Sequence, residues 1–156
     1  MEPPIAIKPH HLVDIITAFG NGIEAPAPHP YGHAVHTVTA AVLRQRDVEL
    51  CVELGADAIC GPCRHNLAGR CDDTIDTSFR PQAPTAKREW NLLLDTRWCE
   101  RLGLSAGQTL TAWAFCQLLR HRAGDIAWIY REEPAERTAT RQARLAAGVE
   151  RFLAAK

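Results

Sequence analysis

Three of the six cysteines, Cys60, Cys63 and Cys71, fall within twelve residues of one another. In Cys60-Gly61-Pro62-Cys63 the two intervening residues make a tight turn that brings both sulfurs to one side, and the next stretch returns Cys71 to the same centre. Thiols this crowded in a reducing compartment point to a metal or cluster rather than to disulfides. Thiolates ligate zinc and iron–sulfur clusters alike, so the spacing leaves both open, with a redox pair or free thiols behind them. A structural zinc site would need His65 or a more distant residue as its fourth ligand, because no second closely spaced pair completes a four-cysteine ribbon. Cys51, Cys99 and Cys116 are scattered and read as small buried hydrophobes, with Cys99 or Cys116 held in reserve as a fourth ligand.

Proton-handling groups gather near the N-terminus in Pro9-His10-His11-Leu12-Val13-Asp14. On a helix, His10 and Asp14 are four apart and His11 and Asp14 three apart, so each pair shares a face and the carboxylate stabilises an imidazolium. His33 and His36, three apart, offer a second imidazole pair for the same cavity and are candidate substrate-binding residues. The plainer alternatives are histidines that only meet backbone groups or solvent at a helix start, and an Asp57 that caps the turn carrying Cys60. Arg120, Arg122 and Arg131 are candidates to meet an anionic substrate.

Taken together, Ile7-Lys8-Pro9-His10-His11-Leu12-Val13-Asp14, Asp57-Ala58-Ile59-Cys60-Gly61-Pro62-Cys63 and Gly69-Arg70-Cys71 resemble a small bacterial and archaeal family thought to bind iron–sulfur clusters. That family begins with a basic-Pro-His-His-Leu-Leu-Cys motif, and its later cysteines match Cys60, Cys63 and Cys71. The resemblance covers about the first half of the chain in its motifs and favours iron–sulfur over zinc. Where relatives carry a fourth cysteine this chain has Asp14, and its proline- and histidine-rich loop from Pro26 to His36 also departs from the family. A four-iron, four-sulfur cluster on Cys60, Cys63 and Cys71 would then keep one iron without a protein thiolate. Asp14 would either bind it as a labile ligand or stand beside it as a general acid or base.

The elements that must position these groups are mostly helical. Pro9 suits a first turn, His10 to Phe19 reads as a helix, and Gly20-Asn21-Gly22 ends it. A second helix runs from Gly32 or His33 to about Arg46. Val48, Leu50, Val52 and Leu54 alternate with polar residues as a short strand would. The cysteine cluster lies on irregular backbone from Gly55 to Asp73. Thr85 to Leu102 is a helix with Trp90, Leu93, Leu94 and Trp98 on its apolar side; Ser105 caps another that runs to Arg120; and Pro134 opens a last one to Ala155. The tryptophans, Trp128 included, read as core or pocket wall. The expected fold is mainly α with at most a short strand pair, a single compact domain over 1–156. Its cluster-bearing half is 1–84 and its helical half 85–156.

Composition narrows the function. The 156 residues suit one domain, 46% are hydrophobic, and 18 basic residues balance 18 acidic ones. No global field favours nucleic acid or an anionic membrane. Met1-Glu2-Pro3-Pro4 lacks the basic-then-apolar order of a secretory signal, and no stretch is apolar enough to span a membrane. A cytoplasmic protein with a small-molecule substrate is expected, homo-oligomeric or not. The favoured function is a non-redox 4Fe-4S desulfidase that removes sulfur from a thiocarbonyl compound, since soft sulfur suits an open iron. A hydro-lyase acting on a hydroxy acid is the nearest enzymatic rival. The alternatives from other classes are an iron–sulfur electron-transfer or sensing protein and a zinc-stabilised binding module.

Overall fold

In a computed structural model that describes residues 2–154, the chain is mainly α, with five helices among the described residues and a small mixed sheet. Strand β1 (Ile5–Ile7) leads through Lys8 into α1 (Pro9–Gly20). After a proline-rich loop come α2 (Val35–Arg44), β2 (Glu49–Val52) and the hairpin β3 (Asn66–Leu67) and β4 (Arg70–Cys71). The second half supplies α3 (Lys87–Leu102), β5 (Thr109–Thr111), α4 (Ala112–Arg122) and α5 (Ala135–Ala154). The last residue of the helix expected to reach Ala155 lies outside the described residues.

The sheet order is β1-β2-β5, with β1 parallel and β5 antiparallel to β2; Ile5 stands opposite Leu50 and Leu50 opposite Leu110. The sheet therefore joins the two halves of the sequence, and one core runs through both. Both segments that carry site residues leave from the carboxyl ends of the parallel strands: α1 follows β1, and the Asp57–Cys60 turn follows β2.

Helix α1 forms because Pro9 sits at its first turn, where a missing N–H costs nothing, and because Leu12, Val13, Ile15, Ile16 and Phe19 are all buried. It crosses α5 at very short range. A Cβ on Gly20 would collide with the Arg144 carbonyl, and one on Gly148 with the Ile16 carbonyl. The helix ends over Gly20-Asn21-Gly22 as expected, with Gly22 at φ +83° making the left-handed turn, and the missing side chain of Gly20, its last helical residue, also lets two backbones touch.

Other boundaries differ from expectation for identifiable reasons. The helix expected from Ser105 starts at Ala112. Gly107 adopts a positive φ, and Thr109–Thr111 pairs with β2, where β-branched residues fit well. Thr111, not Ser105, is the N-cap, and its hydroxyl accepts the Ala114 N–H at 3.0 Å. α2 begins only at Val35. Leu93 is exposed on α3, and Trp128 is 47% exposed, with the Arg131 guanidinium over its ring.

Candidate functional site

Two buried carboxylates organise the start of α1. Asp57, 4% exposed, accepts the Lys8 backbone N–H at 2.7 Å and the N–H groups of Ile59 and Cys60 at 3.0 Å each. It also accepts the His11 Nδ1–H at 2.7 Å. One side chain thus caps the turn before Cys60, as expected, and pins that turn to the helix bearing His11. Burial opposes the charge on Asp57, but the His11 hydrogen bond and charge and the backbone donors outweigh it and hold the carboxyl far below its usual range. An ionised Asp57 places the ring proton of His11 on Nδ1 and leaves Nε2 as an acceptor. Burial, and then the charge of His10, keep the His11 pKa below its ordinary value despite Asp57.

Asp95 on α3, fully buried, does the same for His10, accepting both its backbone N–H and its Nδ1–H at 2.8 Å. Burial works against the imidazolium, yet the Asp95 charge and hydrogen bond, with help from Asp14, raise the His10 pKa. The helical spacing suggested Asp14 as the partner of His10. Asp95, far away in sequence, takes that place.

Cys60, Cys63 and Cys71 are free thiols, each half-buried. Turn hydrogen bonds from Gly61 N–H to the Asp57 carbonyl and from Cys63 N–H to the Cys60 carbonyl shape the first two. The third is returned by the β3–β4 hairpin, where Cys71 stands opposite Asn66 and Ala68-Gly69 make a turn with φ of 54° and 87°. Buried Lys8 sends its ammonium to the Cys60 sulfur at 3.3 Å. Burial first, then the Asp57 charge, nonetheless pushes the Cys60 thiol pKa up.

All three cysteines line one cavity of about 610 Å³, and so do His10, His11, Asp14 and His33. His36 does not. Since α2 starts at Val35, His33 precedes the helix, and the three-residue spacing gives no shared face. His33 stacks on exposed His29 instead, at 4.3 Å between ring centroids. Asp14 is exposed, and its charge acts on His10, Tyr130 and Arg141, so it faces a different wall from the Cys60 turn. Cys99 and Cys116 are buried on α3 and α4 and line no part of the cavity. Arg120 pairs with Glu150, Arg122 donates to the Leu102 carbonyl, and Arg131 covers Trp128; none reaches the cavity.

Among the described residues, the set that brings three donor atoms within 4.8 Å of one another is His11, Asp57 and Cys60. His65, on the cavity wall, repeats the His11 arrangement: its Nδ1–H donates to Asp72 at 2.8 Å, and its Nε2 is buried without a partner among the described residues. A carboxylate on one ring nitrogen is how metal-binding histidines are oriented. Sequence reasoning missed Asp95 and gave Lys8, the basic residue of the quoted motif, no role of its own; an aspartate within the α3 pattern was the available signal for Asp95.

Comparison with family models, with curated proteins and with solved structures gives no match in any of the three. No helix of the described residues is long and apolar enough to cross a membrane.

Proposed function

We propose that this chain is an enzyme built on an iron–sulfur centre held by Cys60, Cys63 and Cys71, acting on a small compound in the adjoining cavity, with loss of sulfur from a thiocarbonyl group as the favoured reaction. One observation carries the reading: three free thiols from two stretches of backbone open onto a single cavity that also contains an imidazole oriented by a buried carboxylate. The donor set fits the group, as soft thiols suit iron–sulfur clusters and zinc alike. Iron–sulfur is preferred to zinc because the motifs that carry Cys60, Cys63 and Cys71 resemble those of the iron–sulfur family described above.

When bound, such a cluster with one iron free of protein thiolate supplies a Lewis acid to which sulfur is a natural ligand. The rest of the chemistry belongs to the side chains. His11 Nε2 takes a proton from the water that adds to the thiocarbonyl carbon, while Asp57 holds Nδ1–H and stabilises the resulting imidazolium. His11 returns that proton to sulfur, and the added hydroxyl gives its remaining proton to His11 Nε2 as it becomes the carbonyl oxygen. The last C–S bond breaks to release hydrosulfide, so that thiocarbonyl and water become carbonyl, hydrosulfide and a proton. No electrons are exchanged. His10, favoured as imidazolium by Asp95, adds positive charge to the same wall.

A second reading takes Cys60 as a nucleophile beside His11 and Asp57, whose donor atoms stand together in the manner of a thiol–imidazole–carboxylate triad. The raised pKa of Cys60 weighs against it, since a nucleophilic thiol needs a lowered one.

Anaerobic purification with iron, sulfide and zinc analysis separates the two. The cluster reading expects roughly four irons and four sulfides per chain, with broad visible absorbance. It expects Cys60→Ser, Cys63→Ser and Cys71→Ser each to lose them. Metal-free protein that converts a thiocarbonyl compound, and a Cys63→Ser variant that does so equally well, would overturn it in favour of the thiol.

A further inference from the structure

The cavity has a second chemical character away from the thiols. Glu133, 2% exposed in its side chain, is met by three guanidiniums: Arg80 Nη1 at 3.0 Å, Arg141 Nη1 at 2.9 Å and Arg137 Nε at 3.5 Å. Arg80, Arg141 and Glu133 all line the cavity. Arg137 stands outside the cavity, and over the whole of the cavity lining six Lys or Arg side chains face four carboxylates. A partly buried excess of positive charge is poorly compensated by water and attracts an anion.

The arginines are also held in place. The Arg141 guanidinium lies over the Tyr130 ring at 3.9 Å from its centroid, and Arg80 lies over Phe79 at 4.6 Å and Trp90 at 5.3 Å. Arg80 Nε–H donates to the Asp76 carbonyl at 2.8 Å. Among the described residues, Arg141 bonds through Nη1 alone, which leaves Nε and Nη2 as donors, and Arg80 keeps Nη2. Rigid forks with spare, coplanar N–H groups match a planar oxyanion.

We propose that Arg80 and Arg141, held by their aromatic neighbours and by the Asp76 carbonyl, form an anion subsite that takes the carboxylate of a small organic acid and turns its other end toward Cys60, Cys63 and Cys71. The assignment of the thiol end as the reacting end rests on the function proposed above; the subsite itself does not. A carboxylate is favoured over phosphate because the two forks already bracket one carboxylate, through Oε1 and Oε2 of Glu133.

The test uses benzoate as probe, its neutral isostere benzamide as control and inorganic phosphate as the competing oxyanion, all at matched ionic strength. The readout is saturable change in tryptophan emission, with Trp90 beneath Arg80. Benzoate is expected to bind and benzamide not. Arg141→Gln should weaken benzoate about tenfold or more, the usual scale for a charge-assisted hydrogen bond. Glu133→Gln, which frees both forks at nearly constant shape, should tighten it several-fold. Arg120→Gln, on the opposed α4–α5 surface pair, should change nothing. Equal response to benzoate and benzamide, stronger binding of phosphate, or a Glu133→Gln protein that is folded by circular dichroism and binds benzoate no better than the parent would each overturn the subsite. Iron and sulfide are counted on the same preparation that is titrated with benzoate, so failure of the iron analysis and failure of this subsite are read separately.

Discussion

The imidazole of His11 and the carboxylate of Asp57 meet at 2.7 Å across 46 residues of sequence, and that one contact locks the first helix to the turn that presents Cys60. Because the same Asp57 oxygens also take three backbone N–H groups, the carboxylate is both the cap of the turn and the orienting partner of the histidine. Geometry of the site and stability of the fold are therefore coupled at this residue.

Asp57→Asn should accordingly destabilise the protein by about 3 kcal/mol, the scale for removing a charge from a buried, hydrogen-bonded network. The folded pKa lies below the unfolded value of about 3.9, so the contribution is present above that pH and is lost as pH falls through the folded pKa. Urea unfolding at pH 7 and in the acid range checks both points. The variant should show a lower midpoint at neutral pH and a shallower acid limb; equal midpoints at pH 7 would refute the argument.

His10 and Asp95 give the opposite pH dependence. The folded pKa of His10 is raised, so its ion pair stabilises fully below the unfolded value of about 6.5 and that part is lost as pH rises through the folded pKa. In Asp95→Asn this pH-dependent part disappears, while the backbone hydrogen bond can persist through the amide oxygen. The stability gap between parent and variant should be widest near pH 5.5 and narrow through pH 8 and above. A gap that widens with pH would show that His10 is neutral in the fold.

What could be read ahead of the structure, and what could not, follows the range of the interactions. The helices α1, α3 and α5 were readable because proline, apolar periodicity and length act within one element. The three-cysteine loop was readable for the same local reason. The missed start of α4 came from a three-residue strand whose partner lies nearly sixty residues earlier, a pairing no local pattern encodes. The partner of His10 was likewise misassigned to the neighbour on the helix, Asp14, when a buried carboxylate on another helix was the stronger ligand for its proton. The end of α1 over Gly20-Asn21-Gly22 is legible in its glycines, whereas the second role of Gly20, a backbone contact with α5, exists only once the helices cross.

That crossing makes its own prediction. Alanine at Gly148 or Gly20 gains up to about 1 kcal/mol of helix propensity, yet its Cβ would overlap a carbonyl of the opposite helix. Helices packed this closely must separate, and net destabilisation of roughly 1–3 kcal/mol is expected for each, as for other overpacked interiors. The two changes should be less than additive, because helices already pushed apart accommodate the second methyl more cheaply. Denaturant midpoints of the two single variants and the double variant measure this. Stabilisation by either alanine would mean that α1 and α5 do not touch as described.

The six free cysteines should divide by reactivity in metal-free protein. Cys116 is buried, and burial pushes its thiol pKa up to about 12; burial, with the Asp95 charge, raises Cys99 to about 11. Thiols react as thiolates, so both should resist a disulfide reagent at pH 8 until the chain unfolds. Cys60, Cys63 and Cys71 open onto the cavity and Cys51 is half-buried, so these four should be modified in the native state, with Cys60 slowed by its own raised pKa. Reconstitution with iron and sulfide should then protect Cys60, Cys63 and Cys71 together and leave Cys51 reactive. Protection of Cys60 alone would restrict metal binding to its set with His11 and Asp57, and six equally fast thiols would mean that α3 and α4 do not bury their cysteines at all.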